Sequence, residues 1–199
     1  MLRTARALGL VATLGLLPSL ALAHTGVGEA SGFSHGFLHP ITGLDHVLAM
    51  VMVGVFAWQL GGRALWLVPV TFVAVMALGG ALGVAGIEVP FVEAGIALSV
   101  VVLGGVVAFG FVPPVAVAMA VVSLFAIFHG HAHGAEMPED AGGIAYGAGF
   151  MLGTALLHLI GVGLGMLIGR TSDSYGPGIV RAAGGVAAVA GIAILSGMI

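Results

Sequence analysis

Only 5 basic and 8 acidic side chains are spread over 199 residues, so charged residues make up 7% of the chain and hydrophobic ones 60%. Ordinary soluble domains carry about 25% charged residues. A water-facing surface cannot be built from so few charges, and a disordered chain would be polar and charge-rich. A soluble globular enzyme and an unstructured tail are both excluded. The composition therefore predicts an all-α integral membrane protein. The 35 Gly lack the three-residue period of collagen and suit helices that pack closely in lipid. With no Cys, disulfides, thiolate metal sites and thiol nucleophiles drop out. A formal charge of -3 argues against a nucleic-acid partner, which needs basic patches.

Residues 1–23 open with a short basic stretch, continue as an apolar run and end Ala21-Leu22-Ala23. That pattern is a cleavable signal peptide rather than a retained first helix. Cleavage after Ala23 makes His24 the exported N-terminus, with an α-amine and an imidazole that could both bind metal. The remainder, residues 24–199, reads as one domain, a compact six-helix transmembrane bundle. A bilayer core needs roughly 20 apolar residues per helix, and such runs fall at about 37–60, 64–86, 91–110, 113–131, 142–169 and 177–198. Arg63, Arg170 and Arg181 fall in turns on one side, whereas Glu88, Glu136, Glu139 and Asp140 lie in turns on the other. The positive-inside rule puts the Arg side in the cytoplasm. Both mature termini are then periplasmic in a multi-pass protein of the bacterial inner membrane.

The chemistry should lie with the 8 His. Ionisable groups inside a membrane are expensive and mark function. The first span opens with His35, His39, Asp45 and His46; the His spacings of four and seven share one face if the helix is unbroken. Pro40 predicts a break or a helix start near His39. Asp45 is either a ligand or the carboxylate that orients a ligating imidazole. The fourth span ends at His129, His131, His133 and Glu136; His129 and His133 stack on one face, and His131 points elsewhere unless Gly130 and Gly134 unwind the backbone. Glu93 sits at a similar depth in the third span, and His158 lies deeper in the fifth. Imidazoles and carboxylates without thiolate suit Ni²⁺, Co²⁺, Cu²⁺ or Zn²⁺ rather than Mg²⁺ or Ca²⁺. Residue types alone reach a divalent transition-metal permease or sensor. The scattered Met residues and the Gly pairs read as packing.

His39-Pro40-Ile41-Thr42-Gly43-Leu44-Asp45-His46 and Phe128-His129-Gly130-His131-Ala132-His133-Gly134-Ala135-Glu136 resemble the H-P-x-x-G-x-D-H and F-H-G-x-A-H-G-x-E signatures of the HupE/UreJ nickel/cobalt permeases. The stretch from Glu93 to Val100 and Ala155-Leu156-Leu157-His158 resemble two further segments of that family. His131 falls at a variable position of the second signature. The resemblance implies uptake of Ni²⁺, or of Co²⁺, in support of hydrogenase or urease maturation. It implies no prosthetic group and no enzymatic activity.

The residues support a route in which His24 and His35 capture the ion outside. His39, Asp45, His46, His129 and His133 then hold it, Glu93 completes the shell and His158 lies on the inward path. Ligands must be deprotonated, so acid weakens binding. Two alternatives stay open at the level of sequence. One is an intramembrane zinc-dependent hydrolase with Glu136 or Glu93 as general base. The other is a membrane metal sensor or chaperone that does not transport.

Overall fold

The structure is a computed structural model that describes residues 27–137, 142–171 and 175–198. The expected signal peptide, His24, Glu139 and Asp140 lie outside the described residues. Those described form helices and turns with no strand: α1 Val27–Thr42, α2 Leu44–Leu60, α3 Ala64–Val84, α4 Val92–Ala108, α5 Val115–Ala135, α6 Gly143–Thr171 and α7 Gly176–Leu195. In hydrocarbon every backbone polar group needs an internal partner, and the long apolar runs meet that need as helices. Turns fall where the backbone must reverse. Gly61 and Gly62, both at positive φ, separate α2 from α3, and Pro114 stands immediately before α5.

Helix α2 is the hub and packs against all six other helices. Its buried stretch includes Ala49, Met50, Val53, Phe56 and Ala57. Gly54 is why α6 can come so close: a Cβ there would lie 2.9 Å from the Gly161 Cα. The α3–α5 pair is a second glycine seam, with Gly79 and Gly83 facing the α5 backbone and Gly130 and Gly134 facing the α3 backbone. A third joins α4 and α7 through Gly104 and Gly184. Close backbone approach through small residues is how helices associate in lipid, where burial of apolar surface offers no drive.

Among the described residues four helices, α3, α5, α6 and α7, are long and apolar enough to cross a bilayer, and α1 with α2 counts as a fifth span if the bent pair is taken together. The protein is thus a multi-pass membrane protein by length and composition. The first expected span, 37–60, is corrected: it is not one helix but two, bent by 83° at Gly43. Gly43 is extended (φ -91°, ψ 125°), and a Cβ on it would sit 2.7 Å from the Asp45 carboxylate. Asp45 Oδ1 instead accepts the His46 N–H at 2.8 Å, in the first turn of α2. The helix therefore breaks three residues after Pro40, which stays inside α1. Consequently His35 and His39 share a face of α1, while His46 belongs to a different helix. Helix α4 is shorter than its expected span of 91–110, at 17 residues.

At one end of the bundle Trp58, Gln59, Gly110, Pro177 and Arg181 line a cavity of about 190 Å³, where α2 and α4 finish and α7 begins. Gln59 Nε2 donates to the Phe111 carbonyl at 2.9 Å and joins two of these turns. Arg63 and Arg170 belong to the same end through the α2–α3 and α6–α7 turns. The His-rich segments lie at the other end.

Candidate metal site

The break at Gly43 and the end of α5 create a cavity of about 250 Å³ whose polar lining is His39, Thr42, Asp45, His46, Glu93, His133 and Glu136. His46 and His133 are buried, His39 is half-buried, and Glu93 and Glu136 are exposed at the rim. One potential ligand atom each from His39, His133 and Glu136 lies within 4.8 Å of the others. A tetrahedral ion about 2.0–2.1 Å from each donor holds its donors about 3.3–3.4 Å apart, so the three side chains would draw together on binding.

Hydrogen bonds set which ring nitrogen is free. Asp45 Oδ1 lies 3.1 Å from His46 Nδ1. A carboxylate only accepts, so the His46 proton sits on Nδ1 and its Nε2 keeps a lone pair. This is the carboxylate–imidazole pairing that orients metal-binding histidines. His46 Nε2 meets His133 Nε2 at 2.5 Å. Two imidazole nitrogens from helices α2 and α5, far apart in the chain, thus converge on one point. His39 stacks edge-on against His133, with ring centroids 4.6 Å apart. Helix α5 stays regular through Ala135, so His129 and His133 lie one turn apart on one face.

His35 is exposed, its ring 6.0 Å from that of His39 and 5.9 Å from that of Tyr146. It is near the cavity but does not line it. His129 is fully buried against the inner side of His46, at 4.5 Å between ring centroids, and its Nε2 turns to the Ser99 hydroxyl at 2.9 Å. His158 is buried deeper and packs edge-on against Phe72. His131 leaves the group altogether: its Nε2 donates to the Ile87 carbonyl at 2.8 Å, in the α3–α4 turn. His131→Ala is expected to leave metal binding within about twofold of wild type while lowering stability by ~1 kcal/mol through the lost hydrogen bond. A loss of metal binding at unchanged thermal stability would overturn that assignment.

Sequence reasoning missed Thr42, Tyr146 and Phe72. Thr42 donates to the His39 carbonyl at 2.7 Å and closes α1 beside the cavity, a role that its place just before Gly43 could have signalled. Nothing in the local sequence marks Tyr146 or Phe72, because their importance comes from which helices they meet.

The HupE / UreJ protein family matches residues 11–194 of the chain. The chain belongs to the HupE/UreJ family. Protein HupE of Rhizobium leguminosarum bv. viciae is 50% identical over 181 residues, which is 91% of this chain and 93% of that protein. No solved structure matches the chain. HupE/UreJ proteins are permeases, not enzymes, which sets aside the hydrolase alternative. Both signature segments of the HupE/UreJ resemblance border the cavity, one from α1 and α2 and the other from α5.

Proposed function

We propose that the protein is a secondary permease that carries Ni²⁺, or Co²⁺, into the bacterial cytoplasm. The observation that carries this reading is the meeting of His46 and His133 beside His39 and Glu136 in a cavity at one end of an apolar helix bundle. Nitrogen and oxygen donors without thiolate favour divalent late transition metals. In this reading His39, His46, His133 and Glu136 are ligands, Asp45 orients His46, and Glu93 adds negative charge at the mouth. His35 and the exported His24 capture the ion before it enters. The metal is cargo, and the product serves hydrogenase or urease maturation, as the family resemblance implies.

The transport unit is six spans after a cleaved signal at 1–23: α1 with α2 as a broken first span, then α3 to α7. Helix α4, with 17 residues, reaches about 26 Å, which is close to the hydrocarbon thickness. The Arg-bearing end faces the cytoplasm, the His-lined cavity faces the periplasm, and both mature termini are periplasmic. An inside-negative potential favours entry of a divalent ion by about 4.6 kcal/mol per 100 mV, twice the value for a single charge. That drive needs no ATP.

The test is uptake into proteoliposomes across a panel of divalent ions. Wild type is expected to take up Ni²⁺ and Co²⁺ in preference to Mg²⁺ and Ca²⁺. Asp45→Asn keeps the side-chain shape but releases His46 from one tautomer, and should lower apparent affinity by about 10–100-fold. Wild-type protein that binds metal without flux would point instead to a sensor or chaperone.

A further inference from the structure

Beyond the cavity, three buried imidazoles keep a nitrogen without a partner among the described residues; His131 is held at the α3–α4 turn, and His129 and His158 lie inside the bundle. His129 is 0% exposed and His158 1%. The Ser99 hydroxyl donates to the Ile96 carbonyl at 2.6 Å, so its oxygen is left to accept. His129 Nε2, 2.9 Å away, therefore carries the proton and donates, and His129 Nδ1 keeps a lone pair with no partner. Neither nitrogen of His158 has a partner among the described residues. Buried polar atoms are nearly always satisfied, and those that are not call for an explanation. A hydrophobic helix position that needed only bulk could be filled by Leu with no such cost.

Both rings rest on the same residue. The Phe72 ring centroid lies 5.7 Å from that of His129 and 5.1 Å from that of His158. One turn before His158 on α6, buried Thr154 contacts the Met76 thioether at 3.8 Å, and Met76 is itself one turn beyond Phe72 on α3. Imidazole, thioether and hydroxyl groups from α3, α5 and α6 thus gather inside the bundle, and none of the four residues lines the cavity.

The geometry points to a second, inner station for the divalent metal ion, formed by His129 Nδ1 and His158 with Met76 and Thr154 beside them. Ser99 is its positioning residue, because it holds His129 in the tautomer that leaves Nδ1 free. This rests on the permease reading for its purpose: an ion leaving His46 needs a next stop on the way inward. Nitrogen and thioether donors suit late transition metals and reject Mg²⁺ and Ca²⁺. The donor set is neutral, whereas the outer cavity has Asp45, Glu93 and Glu136. It should hold the ion more weakly, as conduction through successive sites requires.

The probe is Co²⁺, titrated by visible absorption into the purified full-length protein in detergent, with His24→Ala and His35→Ala present in every sample, wild type included, so that the capture residues add no equivalent. Wild type is expected to bind two equivalents, the second more weakly. His158→Leu should bind only the first, with unchanged affinity, and its flux in proteoliposomes should fall about tenfold or more. Ser99→Ala, a small change inside α4, should weaken the second equivalent by about 10–100-fold. Saturation of wild type at one equivalent would overturn the station, as would two equivalents in His158→Leu. Should His158→Leu fail to fold, an unchanged second equivalent in Ser99→Ala has the same force. The two readings fail separately. Two equivalents without vesicle uptake would remove the permease and keep the station; equal uptake by wild type and His158→Leu would do the reverse.

Discussion

His133→Ala is expected to reduce Ni²⁺ uptake about 100-fold or more at equal protein level, above the range seen when only an orienting partner is lost. The reason is position. His133 belongs to the His39–His133–Glu136 group and also meets His46 Nε2. Its loss removes a donor common to both contacts, which no neighbour can replace: His129 is turned to Ser99 and His131 to Ile87. The fold should survive, because His133 is near the C-terminal end of α5 and lines a cavity rather than the helix seam. Metal accumulation in cells, paired with a thermal melt of the purified variant, makes the measurement. Uptake within about threefold of wild type, with the protein folded, would take His133 out of the transport path and weaken the proposed site, since such losses elsewhere reach tenfold or more.

The second large effect is structural and needs only one methyl group. Gly130→Ala is expected to destabilise the bundle by about 3 kcal/mol or more, at the upper end of overpacking costs. A Cβ at Gly130 would lie 2.8 Å from the Gly80 nitrogen and closer still to the Met76 carbonyl oxygen. Both neighbours are backbone, so no side chain can swing aside, and α3 and α5 would have to separate. Gly130 also lies next to His129 and one turn before His133–Gly134. Moving α5 therefore displaces the imidazoles from His46 as well, and uptake should fall with stability. Gly163→Ala is the matched control. It is also inside a helix, but nothing lies within 4 Å of its added Cβ, so it should be neutral or stabilise by about 0.5–1 kcal/mol. Equal melting temperatures for the two variants would show that the α3–α5 seam is not as tight as described.

Much of the site was legible as residue types and little of it as geometry. His39, Asp45, His46, His133 and Glu136 stand out in an apolar chain because each is costly there. Their spacing could not show that α1 and α2 part at Gly43, because the expected disruption pointed to Pro40. Pro40 stays inside α1, whereas Gly43 leaves helical geometry beside the Asp45 carboxylate. Ser99 bonds to its own backbone as helix serines commonly do, and no local pattern marks its contact with His129, which comes from the α4–α5 packing.

From the chain alone come the membrane class, the positions of most helices to within a few residues, and the donor chemistry. Each depends on local cost: unsatisfied backbone and unpaired charge are penalised in hydrocarbon wherever they occur. Which imidazoles meet, and which are sent elsewhere, was decided by tertiary structure. The spanning helices are apolar on their outer faces as well as their inner ones, with Leu78, Leu124 and Leu159 all exposed. Hydrophobicity therefore does not mark the face that turns inward, as it does in a water-soluble helix. That face is set by where two glycine-lined backbones fit together, and the fit exists only between two helices.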